Sequence, residues 1–245
     1  MPIVEYKKLS LVDYPGNTCA VVYFSKCNLR CVYCHNPKLV LDELMESRID
    51  EKVLFREIIQ FLSKRKNIID GVVLTGGEPL LHDRIIKIAG LIKDLGLKVK
   101  LDTNGVQYGK LKKLLHNDLV DYVALDYKGD RENIKEITGI SNESLVIENW
   151  VKSFRILLES EVDFELRTTL VKGFHNTNNL ISMAKEIIHS RDCGDFKWYL
   201  QSFRRDEKVL SDYSKDDVTL HAYSDQEVSE MLELLKKLGF IVEKR

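Results

Sequence analysis

Short β-branched or apolar runs recur along the chain at 18–25 (TCAVVYFS), 70–75 (DGVVLT), 98–102 (KVKLD), 120–126 (VDYVALD), 162–170 (VDFELRTTL) and 195–200 (DFKWYL). Their length and residue types predict strands. Between them, apolar residues take helical spacing. Leu54, Ile58, Phe61 and Leu62 form one stripe, and Ile85, Ile88, Ala89 and Ile92 another that stops at Gly96. Ile147, Trp150, Val151, Phe154 and Leu158 form a third, and Leu180, Met183, Ala184, Ile187 and Ile188 a fourth. The last helix carries explicit signals: Ser224 as N-cap, Glu227 three residues on, then Val228, Met231, Leu232 and Leu235, with Gly239 as terminator. A final strand follows, to about residue 243. The Met and aromatic stripes read as core.

Six strand–helix repeats predict parallel strands joined by crossover helices, hence an α/β fold. Six units are too few for the eight-stranded barrel, so an open or partial barrel or a doubly wound sheet is expected. Without repeats, low-complexity tracts or Pro/Gly/Ser linkers, residues 1–245 read as a single domain. The unusual polar residues follow the predicted strands: the cysteine segment after the first, TGGEP (75–79) after the second, LDTNG (101–105) after the third and LDYK (125–128) after the fourth. Arg167 lies in the fifth, and LQSFRR (200–205) follows the sixth. Ligands bind at the C-terminal ends of parallel strands, so strand order alone sends these segments to one face.

Composition narrows the class. Hydrophobic residues make up 44% and charged residues 31%, and the formal net charge is −1, which gives no footprint for nucleic acid or an anionic membrane. No apolar run nears the roughly 20 residues that span a bilayer. The start, MPIVEYKKLSLVDYPG, lacks a signal-peptide pattern, so a cytoplasmic protein is expected. Of five cysteines, Cys27, Cys31 and Cys34 are clustered, while Cys19 and Cys193 stand alone and read as small core residues. In a reducing compartment, the cluster favours metal ligation over disulfides.

Each motif also has a plain structural reading. Gly76 and Gly77 suit a turn, Pro79 a helix start, Asp102 and Asp126 turn caps, and Lys128 a solvated surface. Asp13, before Pro15-Gly16, reads as a turn former, or else as a residue facing a substrate loop. SKCNLRCVYCHNP supplies three thiols where zinc and ordinary iron–sulfur sites take four protein ligands. Adjacent His35 departs from zinc spacing, which leaves a Cys₃His knuckle as the weaker option. The other is a four-iron cluster with one iron open to an outside ligand.

That C-x3-C-x2-C segment, with Tyr33 before its last cysteine, resembles the signature of the radical S-adenosylmethionine (radical SAM) superfamily. CNLRCVYCHNP, TGGEPLL, LDTNG, LDYK and LRTTLVKG resemble successive motifs of the enzymes that install glycyl radicals. SLVDYPG (10–16) most resembles the anaerobic ribonucleoside-triphosphate reductase activators. The resemblance implies a partial (β/α)6 barrel of the radical SAM type. It implies one [4Fe-4S] cluster on Cys27, Cys31 and Cys34, with the methionine amino and carboxylate groups of S-adenosylmethionine on the open iron.

Gly76, Gly77 and Glu78 would then receive the amino group, and Lys128 and Arg167 would lie near the carboxylate and ribose. Tyr33 would lie against the adenine and Asn104 near the ribose, while Asp102 and Asp126 would hold a monovalent cation. Where some activases place a histidine near the adenosine, this chain offers Gln201, Phe203 or Arg204, and Lys26 stands where relatives often have glycine. No cysteine-rich insert separates Cys34 from Gly76, so accessory clusters are not expected.

The implied reaction is one-electron cleavage of S-adenosylmethionine to methionine and a 5′-deoxyadenosyl radical, which takes a hydrogen from a glycine Cα of a partner enzyme. A flavodoxin- or ferredoxin-type donor would supply the electron, with no nucleic acid or membrane partner. The competing readings are a small-molecule radical enzyme of the 7-carboxy-7-deazaguanine synthase kind and a zinc-stabilised interaction module.

Overall fold

A computed structural model describes residues 3–44, 51–188, 196–205, 208–213 and 218–245. Cys193 lies outside the described residues. Contacts divide the chain into two compact units, Met1–Asn28 with Lys38–Ala124 and Leu29–Pro37 with Leu125–Arg245.

The first unit carries β1 (Ile3–Ser10), β2 (Cys19–Phe24), β3 (Gly71–Gly76) and β4 (Lys98–Thr103), neighbours in that order. β2 pairs parallel with β3, and β3 with β4, in registers that set Val21 beside Val73 and Val73 beside Lys100. β2 is buried along almost all its length, as expected of a parallel strand covered on both faces. Along the chain, α1 (Pro37–Val40) follows the cysteine segment, and α2 (Glu51–Arg65), α3 (Ile85–Asp94) and α4 (Tyr108–His116) follow in turn. α2 buries Leu54, Ile58 and Leu62, while half-buried Phe61 meets the Tyr6 ring at 5.8 Å.

β1 was not foreseen. It is an antiparallel edge strand on β2, and IVEYKKLS lacks the regular alternation that reveals a strand with one wet face. α4 escaped for want of a marked start, although Leu111, Leu114 and Leu115 are buried at helical spacing. The turn holding Asp13 precedes β2, at the end of that strand opposite Cys27, and Asp13 Oδ2 accepts from Ser10 Oγ at 2.5 Å. This is the turn-forming role.

β5 (Tyr122–Asp126) passes from the first unit into the second. The second unit holds α5 (Ile134–Thr138), α6 (Glu143–Leu158), β6 (Asp163–Leu170), α7 (Thr177–Ile188), β7 (Lys197–Ser202), α8 (Asp225–Lys237) and β8 (Ile241–Lys244). β6, β7 and β8 run parallel in that order. α7 and α8 bury the predicted stripes, except for half-buried Ile188. Ser224 and Glu227 close the predicted capping box on α8.

The α6 stripe is a correction. The helix buries Val146, Trp150, Ser153, Phe154 and Leu157, leaving Ile147, Val151 and Leu158 half-buried. The indole sets the rotation: Trp150 Nε1 donates to the Asp126 carbonyl at 2.9 Å, and its ring stacks on Tyr127 at 4.2 Å. No described helix is long and apolar enough to cross a membrane.

Candidate functional site

In the first unit, β2 ends at Phe24 and the chain turns through Ser25 and Lys26 into Cys27. Lys26 adopts φ 67°, the left-handed region that favours glycine. The turn is fixed by neighbours: Lys26 N–H donates to the Leu39 carbonyl at 2.6 Å, and the Lys26 carbonyl accepts from Glu78 N–H at 2.8 Å. Gly77 N–H donates to the Phe24 carbonyl at 2.8 Å. Two glycines make this approach possible. A Cβ on Gly76 (φ 121°) would lie 2.4 Å from the Phe24 nitrogen, and one on Gly77 would lie 2.0 Å from the Lys26 carbonyl oxygen.

Glu78 is 1% exposed. Its Oε1 accepts from Leu80 N–H at 3.0 Å and Thr103 Oγ1 at 2.8 Å, and its Oε2 from Asn104 N–H at 2.8 Å. The carboxylate thus clamps the end of β3 to the end of β4. Asn104 Nδ2 in turn donates to Asn28 Oδ1 at 2.9 Å and lies 3.8 Å from Cys27 Sγ. Asp102 sits two residues before it and pairs with buried Lys100. Asn28 and Thr103 had not been singled out. Both flank motif residues, and a short polar side chain beside a cysteine or inside DTNG carries no signal of its own.

The second unit holds Leu29–Pro37, with Cys31 and Tyr33 buried. Its backbone is anchored on both sides: Arg30 and Val32 N–H donate to the Thr138 and Ile137 carbonyls at 2.8 and 3.0 Å, and Leu210 and Ser211 N–H donate to the Cys34 and Val32 carbonyls at 3.0 and 3.1 Å. Burial pushes the Cys31 thiol up to about 11, partly offset by the Lys128 ammonium, and raises Cys34 as well. Such thiols shed their protons when a metal takes the charge.

Asp126, at the end of β5, gathers two cations. Lys128 Nζ lies 3.1 Å from Oδ2, while Arg167 Nε and a terminal nitrogen lie 3.1 and 3.0 Å from Oδ1. Burial alone would lower Lys128, but Asp126, with Cys31 and Tyr33, holds its ammonium well above the usual lysine range. His175, also missed, lies beneath. Its Nδ1 accepts from Val171 N–H at 3.2 Å, which leaves Nε2–H to donate to the Lys128 carbonyl at 2.8 Å, and its ring meets Tyr33 edge-on at 6.4 Å.

His35 is committed elsewhere. Its Nε2 bonds the Arg204 carbonyl at 2.6 Å, and its ring stacks on buried Phe203 at 5.3 Å. Gln201 and Arg204 are exposed. Among the described residues, no group of three or more His, Cys, Asp or Glu side chains is arranged to hold a single metal ion. Thiolates of a cubane sit on separate irons, and the loop anchored in the second unit would carry two of them, Cys31 and Cys34.

Parallel strands with a glycine turn and a clamped carboxylate at their C-terminal ends describe an α/β protein of the class that binds ligands at that end of the sheet. The family model of the radical SAM superfamily matches residues 21–180, and the chain belongs to that superfamily. A protein of Methanocaldococcus jannaschii named as a glycyl-radical enzyme activating enzyme is 31% identical over 231 residues, or 94% of this chain and 89% of its own. A pyruvate formate-lyase-activating enzyme of Clostridium pasteurianum is 29% identical over 220 residues, 88% of this chain and 90% of its own. These relatives place the chain with the glycyl-radical enzyme activating enzymes. The structure of Streptococcus suis SuiB bound to S-adenosylmethionine matches 90% of this chain at TM-score 0.66 and 14% identity. The chain spans 48% of SuiB, and the likeness concerns the fold. It is consistent with the partial barrel that the resemblance implied.

Proposed function

We propose that this chain is a radical SAM activase whose protein substrate is a glycyl-radical enzyme, with anaerobic ribonucleoside-triphosphate reductase as the expected partner. The observation that carries the reading is the bonding of Gly77 and Glu78 to Phe24 and Lys26, which brings the glycine turn against the residue preceding Cys27. A ligand resting on that turn therefore lies beside the cluster segment. Cys27, Cys31 and Cys34 would hold the cluster, which would supply one-electron cleavage of S-adenosylmethionine and, through it, removal of a hydrogen atom from a glycine Cα of the partner.

The chain's own residues bind and orient. Cys27, Cys31 and Cys34 are the proposed thiolate ligands, and Asn104 steadies Cys27 while lying toward the ribose. Backbone at Gly76 and Gly77 receives the methionine amino group, with Glu78 holding that backbone in place. Lys128 and Arg167, charged and ordered by Asp126, meet the carboxylate and ribose through charge-assisted hydrogen bonds. Tyr33 lies against the adenine. A flavodoxin- or ferredoxin-type protein is the proposed donor, in the cytoplasm, and the whole chain acts as one radical SAM domain.

The test is anaerobic reconstitution, then incubation with reductant, S-adenosylmethionine and candidate glycyl-radical enzymes. A brown protein with about four irons per chain and an electron-spin-resonance doublet on the reductase are expected. Release of 5′-deoxyadenosine with a small molecule, while no candidate acquires a radical, overturns the activase reading.

A further inference from the structure

Lys100 is 1% exposed, with an ammonium at the end of its chain. The period of two along β4 puts it on the same face as Asp102, and Nζ bonds Asp102 Oδ1. The Tyr122 ring centre lies 6.0 Å from Nζ. Nearby, Tyr122 also packs against an apolar cluster of Tyr14, Cys19, Val21 and Val73. Burying a charge in such a place is unfavourable unless a counter-charge compensates it, and Asp102 is that counter-charge.

The pairing has a direction. Asp102 keeps 15% of its side chain exposed, whereas Lys100 keeps 1%. The carboxylate is thus the outward partner, near the end of β4, and the ammonium is locked behind it. An alkali ion at this aspartate would do two things: neutralise the carboxylate and offer positive charge to an anionic ligand. The ammonium does the first without having to be recruited, and with Asp102 already neutralised the carboxylate has no charge left to hold an alkali ion. In the second unit, considered by itself, Asp126 has Lys128 and Arg167 as its cations.

We infer that Lys100 is the resident cation of Asp102, and that this chain takes no alkali ion at that carboxylate. It follows that S-adenosylmethionine binding is indifferent to the choice of alkali salt. This consequence rests on the proposed function, but the ion-binding claim does not.

The test uses the anaerobically reconstituted protein and thallous ion as the probe for monovalent cations. Thallium NMR is expected to show no potassium-displaceable line broadening with the wild type. Lys100→Met removes the ammonium, and broadening that potassium displaces is expected to appear. In the same samples, S-adenosylmethionine affinity by equilibrium dialysis is expected to agree within about twofold among potassium, sodium and tetramethylammonium chlorides for the wild type, and to improve about tenfold with potassium for Lys100→Met. Potassium-displaceable thallium binding to the wild type, lost in Asp102→Asn, overturns the inference, and this readout stands even if Lys100→Met fails to fold. A folded Lys100→Met that binds no thallium also overturns it. Failure of the wild type to bind S-adenosylmethionine in any salt counts against the proposed function alone.

Discussion

Lys26 occupies a left-handed turn that glycine would occupy with less strain. An L-residue there loses roughly 1–2 kcal/mol, of which glycine returns part after its own entropy loss. Lys26→Gly is therefore expected to stabilise the apo-protein by about 1 kcal/mol, read as a higher urea midpoint with an unchanged slope. A lower midpoint would mean that the lysine side chain contributes more than its backbone loses. His175 makes a second prediction at this scale. Burial pulls its imidazole below the ordinary 6.5, so the folded state holds it neutral where the unfolded chain begins to protonate. Its contribution is whole above about pH 6.5, falls as pH drops toward the folded value, and stops changing below it. Urea midpoints between pH 7.5 and 5 should fall less steeply in His175→Gln than in the wild type. Equal slopes would remove His175 from the account.

Two elements depend on their ends. α8 begins at a complete capping box, in which Ser224 Oγ accepts from Glu227 N–H at 3.3 Å and Ser224 N–H donates to Glu227 Oε2 at 2.8 Å. Lys172 also bonds Glu227 at 2.6 Å and, with Ser224, holds that carboxyl down at about 2. Ser224→Ala is expected to cost about 1 kcal/mol, measured by urea denaturation. A loss near zero would show that Lys172 alone holds the helix start. The end of β3 is less forgiving. With a Cβ on Gly77 falling 2.0 Å from the Lys26 carbonyl, Gly77→Ala must spread β3 from the Lys26 turn. Poor folding is expected, or a folded protein whose S-adenosylmethionine affinity drops more than tenfold. Calorimetry and equilibrium dialysis separate these outcomes, and wild-type behaviour in both would show that the turn can move.

At the scale of the whole molecule, cluster binding and folding are linked. A cluster bound to the native thiols alone must stabilise the native state by mass action. Anaerobic iron removal is expected to lower the thermal midpoint by several degrees, and Cys31→Ala should show the low midpoint with or without added iron. A midpoint that ignores iron would mean that these thiols do not hold the cluster.

The parallel strands, the apolar stripes of α2, α3 and α7, the capping box and the motif order were legible because each is written in local periodicity or in turn chemistry. The edge strand β1, the rotation of α6 about Trp150 and the placement of His175 were not. Each depends on a partner distant in the chain: Cys19–Phe24, the Asp126 carbonyl and the Lys128 carbonyl respectively. The same holds at the site. Residue types and spacing nominated the thiols, and the resemblance to the radical SAM superfamily nominated the glycine turn and the two aspartates. Tertiary structure alone decided that Glu78 clamps β4, that His35 is spent on Phe203 and Arg204, and that Asp102 and Asp126 meet cations from their own chain. Sequence records which charges exist. Only folding sets the distances between them, and electrostatic energy depends on distance and burial rather than on order along the chain.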